Sequence, residues 1–167
     1  MTLCKIGVEL NKIIENSNFG KAFNASLNFL SFRPRSEWEI RQYLKKRHKR
    51  DSGRGQNDTN NDEEVIQKLK ELGQINDDEF AKWWVEQRSN FRPKGKRAIE
   101  MELRRKGISS NTIKQLPSNS INEYELAIKA IQKKLPMEKE GIFRYLISRG
   151  FTYDTVDSVI EKVGAKE

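Results

Sequence analysis

Cysteine and histidine each occur only once in the 167 residues, as Cys4 and His48. One cysteine excludes an intramolecular disulfide and fits a reducing compartment. His48 lies in a basic run with no second metal-ligand type nearby, so the sequence predicts neither a metal site nor an acid–base centre there. The chain also lacks a Gly-rich phosphate loop and a nucleophile–base set. We therefore expect no cofactor and no enzymatic activity.

Apolar sequence is also scarce. The hydrophobic fraction is 35% and the charged fraction is 34%. No apolar run approaches the roughly 18 residues that a membrane span needs, and the N-terminus lacks the apolar stretch and cleavage site of a signal peptide. We expect a cytoplasmic protein without a membrane segment. The apolar content is thin for one thick core but suits an extended array of helices.

Charge is abundant and unevenly placed. The formal net charge is +8. Residues 31–50 carry +6 and residues 80–120 carry +7, whereas residues 58–79 carry −6 and residues 121–167 are neutral. Such a distribution predicts an acidic partner, which is either nucleic acid or a protein with an acidic groove.

The two basic segments are near copies of each other. FRPRSEWEIRQYLKKR at 32–47 aligns without a gap on FRPKGKRAIEMELRRK at 91–106, at an offset of 59 residues. A weaker third copy follows 43 residues later, where Pro136, Ile142 and Leu146 match Pro93 and its successors. Repeated helical units with basic residues on the repeat typically form an extended binding surface.

The apolar spacing indicates helices throughout, and no segment alternates as a strand would. The pattern is a helix, a Pro-bearing turn, a helix, a Gly or loop, and a helix, three times over. We predict an all-α protein with an N-terminal segment, 1–18, and three modules, 19–75, 76–120 and 121–167. The polar stretch 51–62 has no apolar residue, so we interpret it as a flexible loop in the first module.

Three stretches, ALNFLSFRPRSEWEIRQYL, LGQINDDEFAKWWVEQR and GKRAIEMELRRKGIS, resemble the RecX family of bacterial recombination regulators. The matching positions are Arg35, Ser36 and Glu37; Leu69, Leu72, Gly73, Asp77, Asp78, Phe80 and Ala81; and Gly95, Ile99, Glu102, Leu103, Lys106, Gly107 and Ile108. The sequence departs from the family pattern in the 51–62 loop and in lacking a Gly after Arg47.

This resemblance implies three tandem three-helix repeats in a curved, elongated monomer. It also implies a regulatory protein that binds the RecA recombinase filament and acts as a RecA inhibitor. Recombination, ATP hydrolysis and co-protease activity would be restrained, which would modulate DNA repair and the SOS response.

The candidate partner-binding residues are mostly basic and lie in the first two modules. In the middle module they are Trp84, Arg88, Lys94, Arg97, Arg104, Arg105 and Lys106; in the first module they are Arg41, Lys45 and Lys46. Arg97 and Arg104 are seven residues apart and therefore share a helix face, opposite the buried positions Ile99 and Leu103. The alternative interpretation is a merely solvated face.

Two further features have structural explanations. Adjacent Trp83 and Trp84 cannot both face one core, so one of them should be partly exposed. Asp77 and Asp78 look like paired catalytic carboxylates, but their position predicts caps of the following helix.

A basic helical nucleic-acid-binding module is the alternative function. Residues 107–111 could form the turn of a helix-turn-helix, although the following helix would be short and carry little positive charge. DNA is thus a possible secondary ligand.

Overall fold

The structure is a computed structural model that describes residues 17–51, 59–117, 122–132, 134 and 136–164. All regular structure in these ranges is helical, which confirms the all-α prediction. Within them the helices are α1 (Asn18–Ser31), α2 (Glu37–Asp51), α3 (Thr59–Glu71), α4 (Asp77–Phe91), α5 (Lys96–Arg105), α6 (Ser110–Gln115), α7 (Glu123–Gln132), α8 (Lys139–Ser148) and α9 (Tyr153–Gly164).

The helix starts recur at the spacing of the sequence repeats. Helices α4 and α5 begin 59 residues after α1 and α2, respectively, and α8 and α9 begin 43 residues after α5 and α6. The similar local patterns therefore start helices at equivalent positions. The division into three modules, with boundaries near 75 and 120, stays a prediction.

Two compact units account for the chain, Met1–Phe80 and Ala81–Glu167. In the first unit α1, α2 and α3 pack around buried aliphatic side chains, among them Ile40, Leu44 and Leu69. The apolar positions of α2 recur every fourth residue, so they form one stripe that faces this core.

Both ends of the predicted 51–62 loop are helical, so that range was too wide. Asp51 is the last residue of α2, and α3 already begins at Thr59. Asp62 lies in the first turn of α3, where an acidic residue favours the helix dipole, and its carboxylate lies 2.7 Å from His48 Nε2. Residues 52–58 lie outside the described part of the chain.

The N-terminal boundary is also shifted. The predicted segment 1–18 lies outside the described residues except for its last two. Ser17 is the N-cap of α1 and accepts a hydrogen bond from the Gly20 N–H at 3.0 Å, and Asn18 is the first residue of that helix.

In the second unit, Ile99 and Leu103 of α5 are fully buried, as predicted. The α5 N-terminus also crosses the chain very closely near Gly150. A Cβ atom on Gly95 would lie 2.0 Å from the Gly150 carbonyl oxygen, and one on Gly150 would lie 2.6 Å from the Cβ of Ala98. The Gly95 N–H donates to the Arg149 carbonyl at 3.1 Å. Only glycine at position 95 permits this approach.

Asp77 has a different role from the predicted one. The α4 cap is Asn76, whose Oδ1 accepts from the N–H groups of Asp78 and Glu79 at 3.0 and 3.1 Å. The Asp77 carboxylate instead accepts the N–H of Glu37, the first residue of α2, at 2.9 Å. Burial raises the pKa of Asp77, and this hydrogen bond lowers it only in part.

The same connection recurs in the second unit. Glu123, the first residue of α7, accepts the N–H of Lys96, the first residue of α5, at 2.6 Å. Thr152, before α9, donates to the other carboxylate oxygen at 3.2 Å. In both units, a carboxylate at the start of one helix thus accepts a hydrogen bond from an N–H group at the start of an earlier helix.

Candidate partner-binding surface

Glu102 on α5 forms hydrogen bonds with three of the predicted binding residues. Its carboxylate accepts hydrogen bonds from Trp84 Nε1 at 3.0 Å, Arg88 Nε at 2.5 Å and Lys94 Nζ at 2.5 Å. Trp84 and Arg88 lie one turn apart on α4, and Lys94 lies in the turn between α4 and α5. The cluster therefore joins the two helices and the turn that connects them.

The Glu102 carboxylate remains ionised at neutral pH. Burial alone would raise its pKa, but the hydrogen bonds from Lys94 and Arg88 outweigh burial and lower the pKa below its ordinary value. Both cations share this one carboxylate, and all three side chains are less than one-third exposed. Such partly buried, hydrogen-bonded pairs stabilise more than exposed ion pairs do.

The indole ring of Trp84 is part of the same cluster. Arg88 Cζ lies 4.4 Å from the ring centroid and Lys106 Nζ lies 4.9 Å from it, both within cation–π range. Trp83 and Trp84 are each half-buried, so neither is fully in the core. Phe80 on the same helix is buried, which assigns that aromatic residue to packing.

These contacts separate the predicted binding residues into those with partners inside the protein and those that face solvent. Trp84, Arg88, Lys94 and Lys106 are engaged within the protein, so their first role is to hold α4 against α5. Glu102 was not among the predicted site residues. The available signal was its position as one of only three acidic residues in the strongly basic segment 80–120.

The remaining basic residues of α5 point to solvent. Arg97 and Arg105 are exposed and form no ion pair within the described residues. Arg104 is 60% exposed and reaches Glu100 only at 4.0 Å. Because Ile99 and Leu103 occupy the buried face of this helix, Arg97 and Arg104 lie on the opposite face, as their spacing predicts.

A groove lies beside this exposed face. Its volume is about 710 Å³, and its walls include Arg97 and Arg105 of α5 together with Ile147, Phe151 and Tyr153 from the region of α8 and α9. Tyr153 is 65% exposed. The second unit thus combines cations and apolar surface along one groove.

In the first unit, Arg41 is engaged internally. It forms a bidentate pair with Glu63 of α3 at 2.7 and 2.9 Å and also contacts Glu37 at 2.7 Å. The hydrogen bond to Glu63 is the main cause that raises the pKa of Arg41. Lys45 and Lys46, in contrast, are exposed and have no ion pair in the described part of the chain.

Two other classes of site have no candidate among the described residues. They hold no group of three or more His, Cys, Asp or Glu side chains that could bind a metal ion. None of their helices is long and apolar enough to cross a membrane.

The described residues form an all-helical structure whose helices recur at repeat spacing and whose α5 helix presents exposed arginines. Two family models match the sequence: the first three-helix domain of RecX over residues 22–49, and the second three-helix domain of RecX over residues 76–116.

Named relatives agree with this match. Regulatory protein RecX of Bacillus velezensis is 32% identical over 152 residues, covering 85% of this chain and 55% of that protein. Regulatory protein RecX of Listeria welshimeri is 35% identical over 118 residues, covering 71% and 41% of the two chains. This chain spans about half the length of these relatives.

Solved structures show the same fold. The crystal structure of RecX from Lactobacillus salivarius superposes with a TM-score of 0.66 at 25% identity, covering 88% of this chain and 97% of that one. A second crystal structure, of regulatory protein RecX, has a TM-score of 0.65 at 23% identity and covers 93% and 77% of the two chains. The chain belongs to the RecX family.

Proposed function

We propose that this protein is a non-enzymatic regulator that binds the RecA recombinase filament and inhibits its recombination, ATPase and co-protease activities. The relatives are named regulatory proteins, which supports a regulatory rather than catalytic role. It acts in the cytoplasm, as a monomer and without a cofactor, and thereby modulates DNA repair. Light scattering of the purified protein tests the monomeric state.

The observation that carries this proposal is the set of exposed arginines on α5, of which only Arg104 has an ion pair within the described residues, a long one to Glu100 at 4.0 Å. Arg97, Arg104 and Arg105 are exposed. The neighbouring Arg88 and Lys94, in contrast, form ion pairs with Glu102. Exposed charges contribute little to folding stability, but they accelerate the encounter with an oppositely charged partner and orient it. An acidic groove on a protein filament would provide carboxylates for these exposed arginines.

The structure gives less support to DNA as a secondary ligand than to a protein partner. Helix α6, which would have to enter the major groove, has only six residues and carries one cation, Lys114. A reading helix normally presents several side chains to base edges and phosphates. Binding dominated by phosphates would also fall steeply with salt, which offers a direct way to separate the two partners.

The test is a double charge reversal on α5, R97E together with R104E. We expect the variant to fold as the wild type does and to inhibit the ATPase activity of RecA on single-stranded DNA at least tenfold less effectively. The loss should lie mainly in the association rate and be greater at low salt, because screening weakens exposed charges.

The matched control is K129E together with K139E. Both lysines are exposed, have no ion pair within the described residues, and lie in the neutral third segment. The same change in net charge there should leave inhibition near the wild-type level. Full inhibition by the folded α5 variant would refute this face as the contact, and Lys45 and Lys46 would be the next candidates.

A further inference from the structure

Phe32 and Phe91 occupy the same position in the two strongest repeat copies, 59 residues apart, and both are exposed. The exposed fraction is 84% for Phe32 and 76% for Phe91. Other apolar residues shared by these copies are fully buried, as Ile40 and Ile99 show. Core packing thus explains the shared isoleucines but not the shared phenylalanines.

The local geometry is also shared. Phe32 is the C-cap residue of α1 and Phe91 is the last residue of α4, so each ring lies where a helix ends. Each is followed by Arg-Pro, and the proline fixes its own φ and prevents the helix from continuing. A rigid turn thus presents each ring to solvent at low conformational cost, as aromatic anchors of interfaces require.

The charges near Phe91 indicate the chemistry of its partner. Arg92 is exposed and pairs with no carboxylate in the described part of the chain, and α5 then begins with the exposed cations Lys96 and Arg97. Near Phe32, Arg33 is neutralised by a bidentate pair with Glu39 at 2.8 and 3.1 Å. An apolar pocket with acidic residues at its rim matches the surroundings of Phe91. A second copy of the same pocket can accept the Phe32 ring, which the pairing of Arg33 leaves exposed.

We propose that Phe32 and Phe91 are equivalent apolar anchors, which insert into pockets repeated on one acidic protein partner built of identical subunits. The two rings belong to separate compact units, so a partner that repeats its pocket can engage both. Two linked contacts of this kind reinforce each other through effective concentration. The inference rests on the proposed function, because the filament is such a partner, and it names the contact residues.

The experiment measures the affinity of F32A, F91A and the double variant for RecA filaments assembled on single-stranded DNA. We expect each single change to raise Kd about tenfold, as loss of a central aromatic anchor does. The double variant should have a Kd about a hundredfold higher than the wild type, because separated sites contribute independently to the binding free energy. Thermal melts should remain near wild type, since neither ring is packed in the core.

L72A is the matched control. Leu72 is 52% exposed and lies outside both Phe-Arg-Pro turns, so its truncation should change Kd less than twofold. Wild-type protein that failed to bind the filament would overturn both proposals. Wild-type binding that F32A and F91A leave intact would overturn only the anchors.

Two parallel measurements test whether the two phenylalanine rings contact a different partner. Phenylalanine also stacks on bases, so an equal loss of affinity for bare single-stranded DNA would replace the protein partner with nucleic acid. Sedimentation of the free protein tests a second copy of the chain. A wild-type dimer that F91A converts to a monomer would refute the proposal as well.

Discussion

Replacing Gly95 with alanine should destabilise the second unit strongly, although the change adds only one methyl group. The backbone at this position is extended, with φ −65° and ψ 157°, so alanine causes no conformational strain. The new Cβ would, however, lie 2.0 Å from the Gly150 oxygen and 2.5 Å from the Phe151 nitrogen. Both are backbone atoms, which no change of side-chain rotamer can move.

The loss of stability in G95A can be worked out from the two backbone segments that the new methyl group would push apart. Real Cβ atoms essentially never approach closer than 3.0 Å, so the two backbone segments must move apart by about 1 Å or more. Forced repacking of this kind costs about 1–3 kcal/mol. The hydrogen bond from Gly95 to Arg149 contributes about 1 kcal/mol, and the exposed one from Lys96 to Glu123 about as much again. We expect a total of about 3–5 kcal/mol in the free energy of unfolding.

Urea denaturation followed by tryptophan fluorescence measures this change. A W38F background leaves Trp83 and Trp84 as reporters of the second unit. G141A is the control, because its Cβ would meet only the flexible Met137 side chain, at 2.9 Å. Alanine is also the better helix former, so G141A should be neutral or stabilise by up to about 1 kcal/mol. A loss below about 0.5 kcal/mol in G95A would refute the close-approach argument.

Three other changes test the remaining contacts. E102Q should cost about 2 kcal/mol at pH 7, because Arg88 and Lys94 lose their counter-charge. The pKa of Glu102 is lower in the folded than in the unfolded state. Its ionised carboxylate therefore stabilises the fold above the unfolded-state pKa, and this stabilisation disappears as pH falls through the folded-state pKa. In E102Q, the free energy of unfolding should depend less on pH in the acidic range. L103A should cost about 2–5 kcal/mol in urea titrations and reduce filament binding only through unfolding. R41A should lower stability only slightly in urea titrations, because Glu63 is exposed and the pair with Glu37 is only partly buried. The variant should inhibit RecA ATPase activity as the wild type does. Weaker inhibition by folded R41A would return this residue to the contact set.

Much of the fold is predictable from short-range pattern alone. The helical spacing of apolar residues identifies Ile99 and Leu103 as buried, and the offsets of 59 and 43 in the sequence reappear in the helix starts. The opposite placement of Arg97 and Arg104 follows from the same periodicity. These features depend on residues within a turn or two of each other, so sequence spacing is sufficient to define them.

The partition of the basic residues is not predictable in this way. Arg88 and Arg97 are the same residue type in the same basic segment, yet Arg88 is bound to Glu102 across 14 residues of sequence and Arg97 faces solvent. Pairing depends on which carboxylate the fold places within reach of each cation. The sequence therefore identifies a basic segment, whereas the structure identifies which of its charges remain available to a partner.

The sequence by itself determined the helices, their repeated register, the buried stripe and the excess of positive charge, all of which arise from local periodicity and composition. Only the tertiary structure decided that Asp77 accepts an N–H group 40 residues away, that Gly95 touches the backbone at Gly150, and that two shared phenylalanines remain outside the core. Each of these depends on how helices distant in sequence pack, and no local pattern specifies that distance or orientation.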